Sequence, residues 1–285
     1  MRIFITGGTG YLGGALIRLA HLAGHTIGAS YFSQPPAAGP AVAWAPLDVR
    51  DPLAVEEALD RFRPDAVIHT AFRQGGPDLM PITADGAGHV AVAAAALGVR
   101  LVHMSSDVIF DGERAGAYAE ADPPSPISPY GEAKARAEAL VAAACPAAAI
   151  VRTSLIYGFE PIDRQTQFAL EVARGERADR LFRDEHRCPV FVDDLAAGLI
   201  ELLATDYAGV LHMAGAEAVS RYELGTLVAR ACGLSPDGMT PGLSAESPVR
   251  RPRNCVLDSS RAAGLLRTRL RGVREALRDL GRIAG

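Results

Sequence analysis

Short apolar runs alternate with stretches whose apolar residues recur at helical spacing, and the switch repeats six times before the pattern loosens. Arg2 to Thr6 reads as a strand that runs into T-G-G-T-G-Y-L-G, followed by the helical set Ala15, Leu16, Leu19 and Leu22. Thr26 to Ser30 and Val42 to Leu47 are the next strands, with the run Gln34 to Pro40 a loop between them. Asp51 is placed to cap a helix that has Pro52 at its first position and continues through Phe62. Asp65 to Thr70 has the composition of a buried strand, and the helix from about Thr83 to Leu97 is small and apolar on nearly every side. Arg100 to Ser105 is a further strand, D-P-P-S-P-I-S-P an extended segment, and Ser128 with Pro129 opens a helix to about Ala144. Ala148 to Thr153 is the sixth strand. Such alternation predicts an α/β fold, a Rossmann-type doubly wound parallel sheet with helices on both faces.

Beyond Ser154 the elements are less regular. Pro161 to Arg174, Val192 to Leu203 and Arg221 to Cys232 read as helices, Val210 to Met213 as a short strand returning to the main sheet, and Ser235 to Pro252 as loop. The expected organisation is a main domain over residues 1–156, rejoined by about 191–215, with a smaller interwoven C-terminal lobe from 157–190 and 216–285.

Composition narrows the function classes. A formal net charge of −4 over 285 residues offers no broad attraction for nucleic acid or an anionic membrane. Cys145, Cys188, Cys232 and Cys255 are scattered without ligand-like spacing, so neither a disulfide framework nor a metal site is indicated, and a reducing, cytoplasmic setting is expected. No signal peptide precedes the first strand, and no apolar run approaches the ~20 residues of a membrane span.

Candidate chemistry lies at the strand ends. Gly7, Gly10 and Gly13 sit at a strand-to-helix turn, where glycine lets a pyrophosphate approach the backbone and the helix N-terminus attracts the anion. Dinucleotide binding is the reading, with Asp48 near an adenine and His69-Thr70-Ala71-Phe72 facing the cofactor. The second strand runs into Ser30-Tyr31-Phe32-Ser33 with no acidic residue for a ribose 2′-hydroxyl, which favours NADP(H) over NAD(H) while leaving NAD(H) open; no arginine stands in that stretch for a 2′-phosphate either. His69 has no neighbouring nucleophile or carboxylate in sequence and reads as structural. Tyr130 and Lys134, four residues apart, share a helical face, so the ammonium can stabilise the phenolate and make Tyr130 a proton donor or acceptor. Lys134 is the one lysine in the chain, against 28 arginines.

These stretches together resemble the extended short-chain dehydrogenase/reductase family, and within it the dTDP-4-dehydrorhamnose reductase group. The resemblance rests on T-G-G-T-G-Y-L-G, P-D-A-V-I-H-T-A-F, S-S-D-V-I-F-D-G, Y-G-E-A-K, R-T-S-L-I-Y-G, P-V-F-V-D-D-L-A and R-P-R-N-C-V-L-D-S-S-R, which span nearly the whole chain. It implies reduction of a 4-keto group on a nucleotide-linked deoxysugar, with Ser106 in place of the family's catalytic threonine, Tyr130 the proton-transfer tyrosine and Lys134 its lysine. The implied cofactor residues are Gly7, Gly10, Tyr11, Leu12, Gly13, Asp48, Val49, Thr70, Ala71 and Phe72 with Tyr130 and Lys134. Ser106, Val108, Leu155 and Arg251 are the implied substrate residues, Arg250 and Arg253 standing beside Arg251 as further donors to a diphosphate. A homodimer is compatible with the resemblance.

Three positions depart from the group's pattern. Val108 stands where it has tyrosine in T-D-Y-V-F, Leu155 where it has tryptophan in R-T-S-W, and Thr83-Ala84-Asp85-Gly86 where the wider family starts a helix with asparagine. Loss of the two aromatics implies an altered sugar pocket, hence a different sugar or looser specificity. The alternatives are a sugar-nucleotide epimerase or dehydratase, for which Val108 offers no carboxylate, and a non-catalytic NADP-binding regulatory subunit resembling the beta subunit of methionine adenosyltransferase.

Overall fold

The computed structural model describes residues 1–33, 35–36 and 41–283. Most of the loop expected over Gln34 to Pro40, and the last two residues of the expected C-terminal lobe, lie outside them. The first elements are β1 (Arg2–Thr6), α1 (Tyr11–Leu22), β2 (Thr26–Tyr31), β3 (Ala43–Pro46), α2 (Pro52–Phe62), β4 (Ala66–His69), α3 (Gly86–Leu97), β5 (Arg100–Ser106), α4 (Pro129–Ala144) and β6 (Ala149–Thr153). They are followed by β7 (Ile156–Tyr157), α5 (Arg164–Ala173), β8 (Leu181–Phe182), β9 (His186–Arg187), β10 (Val190–Phe191), α6 (Val192–Leu202), β11 (Gly209–His212), β12 (Val219–Ser220), α7 (Arg221–Ala231) and β13 (Pro241–Gly242), then α8 (Ser260–Leu265) and α9 (Val273–Asp279).

The chain forms two compact units. One comprises Met1–Ser106, Pro129–Arg152 and Ala196–Leu211; the other comprises Asp107–Ser128, Thr153–Leu195 and His212–Gly285. The segment Asp107–Ser128 lies inside the span 1–156 yet belongs with the second unit. Asp107 accepts a hydrogen bond from Ser154 Oγ at 2.7 Å, and the Tyr118 N–H donates to the Val256 carbonyl at 2.8 Å.

The first unit carries a seven-stranded sheet in the order β11-β6-β5-β4-β1-β2-β3, with the central pairs parallel. Strand order reverses between β1 and β4, and ligands of doubly wound sheets bind beyond the carboxyl ends of the strands at such a point. All four residues of β4 are buried, as a strand covered on both faces requires. Register sets Phe4, Val67 and Leu101 side by side on β1, β4 and β5, where they pack with Val55, Leu59 and Phe62 of α2, Val90 and Ala94 of α3, and Ala137 and Val141 of α4. Each large side chain buried there contributes about 1.5–3 kcal/mol.

Local chemistry explains most boundaries. Asp51 caps α2 by accepting from the Leu53 and Ala54 N–H groups at 3.0 and 3.2 Å. The helix expected from about Thr83 instead opens with a π-helical turn over Pro81–Asp85, where Thr83 Oγ1 exchanges two 2.9 Å hydrogen bonds with the backbone of Arg73. In the second unit the helix expected from Pro161 begins only at Arg164, because Asp163 caps it through the Gln165 and Thr166 N–H groups. Ser220 and Glu223 close a reciprocal capping box on α7. The stretch Ser235 to Pro252, expected as loop, contributes β13, which pairs in parallel with β8. Tyr157, Phe159, Phe191, Leu224, Val228 and Leu277 belong to this unit's core. Among the described residues no helix is long and apolar enough to cross a membrane.

One buried ion pair fixes α4 against the sheet. Glu138 accepts from Arg152 of β6, Nε to Oε1 at 3.0 Å and Nη2 to Oε2 at 2.8 Å, and from Ser105 Oγ of β5 at 2.5 Å. Both charged side chains are under one-tenth exposed. Removing one partner of such a pair leaves a buried charge uncompensated and costs about 3–5 kcal/mol. Glu138→Gln is therefore expected to lower the urea midpoint by that equivalent, whereas Glu138→Leu combined with Arg152→Met should lose markedly less.

Candidate functional site

The glycine turn joins β1 to α1. Gly7 has φ +68°, and a Cβ there would stand 3.0 Å from the Ala71 Cα, so the turns that follow β1 and β4 touch through backbone. At Gly13 a Cβ would lie 2.3 Å from the Gly7 carbonyl oxygen, a distance no side chain tolerates. Gly10 is the N-cap of α1 and supplies no side-chain cap, which leaves the helix N-terminus to other acceptors. The adjoining cleft has a volume of about 290 Å³. Gly7, Gly10, Asp48, Val49, Thr70, Ala71 and Phe72 line it, as do Ser30 to Ser33 and, without a signal in the sequence, Thr9 and Arg73. Tyr11, Leu12 and Gly13 form the first turn of α1, with Leu12 and Gly13 buried. Close backbone, an anion-attracting helix start and a cleft at the strand-order reversal fit a dinucleotide.

Asp48, at the cleft, is paired with an arginine of the same loop. The Asp48 carboxylate is held by Arg50, whose Nη2 lies 2.6 Å from Oδ2 and whose Nε lies 2.9 Å from Oδ1, and the arginine keeps this carboxyl below its ordinary range. Arg50 also lies over the Phe32 ring at 5.6 Å. A guanidinium therefore does stand beside the end of β2, brought there by the β3–α2 loop, although none occurs in the Ser30 to Ser33 stretch.

Phe72 connects the cleft to α4. Its ring lies 5.8 Å from that of Tyr130 and 5.2 Å from Lys134 Nζ. Lys134 is 3 % exposed and donates to the Met104 carbonyl at 2.8 Å. Burial brings this ammonium's pKa down to about 8, opposed by the charge of Glu138 one turn along the helix. Ser106 is the last residue of β5, two positions beyond Met104. In the first unit Ser106 lies on β5, and Tyr130 and Lys134 lie on α4.

The remaining candidates belong to the second unit. Val108 lies in a 3-10 turn over Asp107–Ile109, and Leu155 packs against that unit's core. Arg251 is bound by Glu185, with Nε 2.8 Å from Oε2 and Nη2 3.1 Å from Oε1. Arg253 and Arg250 lie 2.6 and 3.9 Å from Glu113. All three arginines, expected to meet a diphosphate, are thus paired with carboxylates of the chain itself.

Beneath Lys134, His69 and His103 are 1 % exposed and stacked with centroids 5.3 Å apart. Burial and then the Lys134 charge lower His69 to about 3, and burial, Lys134 and His69 lower His103 well below its ordinary value.

A family model described as RmlD substrate binding domain matches residues 1–283. The dTDP-4-dehydrorhamnose reductase of Mycobacterium tuberculosis is 32% identical over 265 residues, covering 89% of this chain and 83% of that protein. Methionine adenosyltransferase 2 subunit beta of Mus musculus is 29% identical over 300 residues, covering 97% and 87%. The crystal structure of dTDP-4-dehydrorhamnose reductase from Bacillus anthracis in complex with NADP superposes with a TM-score of 0.83 at 23% identity, covering 98% of this chain and 96% of that one.

The two histidines generate an acid sensitivity. Their folded pKa values lie below that of the free side chain, so neutral rings cost nothing above about pH 6.5, and stability is lost as the pH falls from there toward 3, where only the unfolded chain takes up the protons. Each ring contributes a slope of about 1.4 kcal/mol per pH unit within that window. Denaturant titrations between pH 4 and 7 should show a shallower fall for His103→Gln than for the parent protein; equal slopes would show that His103 charges in the folded state.

Proposed function

We propose, from the premise that the chain belongs to the RmlD substrate binding domain family of extended short-chain dehydrogenase/reductase proteins, that it reduces the 4-keto group of a nucleotide-linked 6-deoxysugar with NADPH or NADH. The observation that carries this reading is the position of Phe72, which lines the dinucleotide cleft and at the same time touches Tyr130 and Lys134. Bound NAD(P)H supplies the hydride for the carbonyl carbon. Tyr130 gives its phenolic proton to the carbonyl oxygen as negative charge develops there, and Ser106 donates a hydrogen bond to the same oxygen. Lys134, anchored through the Met104 carbonyl, keeps a further N–H for the ribose hydroxyls and favours the phenolate by its charge. The nucleotide sugar is supported by the family and by the R-P-R-N-C-V-L-D segment; Arg251, held by Glu185, is available to a diphosphate only by leaving or sharing that carboxylate.

A second reading is favoured by the likeness to the mouse methionine adenosyltransferase subunit: a nucleotide-binding subunit of another enzyme. Steady-state NADPH oxidation with dTDP-, UDP- and GDP-linked 4-keto sugars separates the two. Turnover with at least one supports the reductase. Turnover of a simple ketone but of no nucleotide sugar overturns the substrate assignment, and tight NADPH binding without any turnover favours the subunit.

Tyr130→Phe is expected to lower reduction by about 10²–10⁴-fold, the usual contribution of general acid catalysis, with cofactor affinity nearly unchanged. Lys134→Met should weaken both, because that side chain also holds the ribose. For the cofactor, nicotinamide fluorescence titration should show NADPH bound at least as tightly as NADH, and Arg50→Ala should reduce the NADPH affinity selectively. A clear preference of the parent protein for NADH would contradict the assignment.

A further inference from the structure

Register across the first unit's sheet sets Thr6, His69 and His103 side by side on β1, β4 and β5. Their hydrogen bonding determines where the protons are. Thr6 Oγ1 accepts from the Thr70 and Ala71 N–H groups at 3.1 and 3.4 Å, so its own hydrogen goes to His69 Nδ1 at 2.7 Å. His69 is therefore the tautomer protonated at Nε2. Among the described residues that N–H has no partner, and neither has either ring nitrogen of His103.

Two buried, stacked rings thus carry three ring nitrogens without a partner among the described residues. A neutral imidazole presents one donor and one acceptor, and leaving such groups unpaired in the interior costs about 1–3 kcal/mol each. No exchange of bonds between the two rings relieves this, because they are stacked at 19° and present faces to one another. Lys134 reaches the same region: its Nζ bonds the carbonyl of Met104, the residue after His103, and its charge acts on both rings. An ammonium has three donors, and the Met104 carbonyl takes one of them.

We infer that His69 and His103 hold an internal water against Lys134, and that this water favours the charged form of the lysine. The water accepts from His69 Nε2–H and from Lys134, and donates to the unprotonated nitrogen of His103, which gives it the three hydrogen bonds typical of buried water. His103 is then a positioning residue that acts on the proposed reaction through Lys134. The water is inferred from the ring nitrogens and the lysine's further donors, and only its use in catalysis rests on the reductase reading. The other groups facing Lys134 are the Glu138 carboxylate on α4, which favours the charged form, and the Phe72 ring, which favours it more weakly.

Because the chain contains a single lysine, ¹⁵Nζ NMR of lysine-labelled protein reports on Lys134 without ambiguity. The parent protein is expected to titrate about one unit or more above His103→Phe, a tenfold difference in proton affinity, and His103→Gln, which retains a polar anchor, should restore most of the parent value. A high-resolution crystal structure should show the water between the two histidines. An unchanged Lys134 titration in His103→Phe overturns the inference. Should the Phe variant not fold, the parent structure decides alone: a bridging water upholds the inference and a dry contact overturns it. No enzymatic activity enters the measurement, so a failed reductase assignment leaves its outcome intact.

Discussion

The Glu138 carboxylate is the point on which the first unit's chemistry depends. It binds Arg152 of β6 and Ser105 of β5 in the interior, and so fixes the rotation and height of α4 over the carboxyl ends of the central strands. Lys134 lies one turn earlier on the same helix and bonds the carbonyl of Met104, adjacent to Ser105. Tyr130 lies one turn before that, against Phe72. Three successive turns are thus referenced to the sheet by a charge pair, a lysine and a ring contact. Burying these charges is costly, and the return is a tyrosine and a lysine whose positions follow from packing rather than from a mobile loop.

Much of this was legible in the sequence because it depends on local chemistry. The strand–glycine–helix start, the Asp51 cap with Pro52, the proline-led α4 and the edge strand β11 all follow from residue type and spacing. What was not legible depends on partners distant in sequence. Nothing near Asp107 indicates that the segment it begins packs with the second unit, since its partners are Ser154 and Arg187. Arg50 could be assigned to the end of β2 only once parallel pairing of β2 with β3 brought its loop beside Phe32. His69 was expected to be structural for want of a nucleophile or carboxylate beside it; its ring neighbour is His103, its register partner on the adjacent strand, which no local pattern indicates.

The second unit shows where residue type alone misleads. Three arginines within four positions invite a phosphate, yet Glu185 and Glu113 occupy them. Glu185 is itself buried between Arg187 and Arg251, a grouping that stabilises the unit as it stands and makes any anion a competitor for the same guanidinium groups.

A crystal structure of the protein with NADP⁺ bound tests the central claim most directly, that the cleft and α4 form one prepositioned reduction site. The account predicts the dinucleotide in the cleft lined by Gly7, Gly10 and Phe72, with the nicotinamide ribose hydroxyls within hydrogen-bond reach of Lys134 and Tyr130 and the Lys134 to Met104 bond retained. A dinucleotide bound elsewhere, or an α4 that must shift away from Met104 and Ser105 to admit it, would contradict the account.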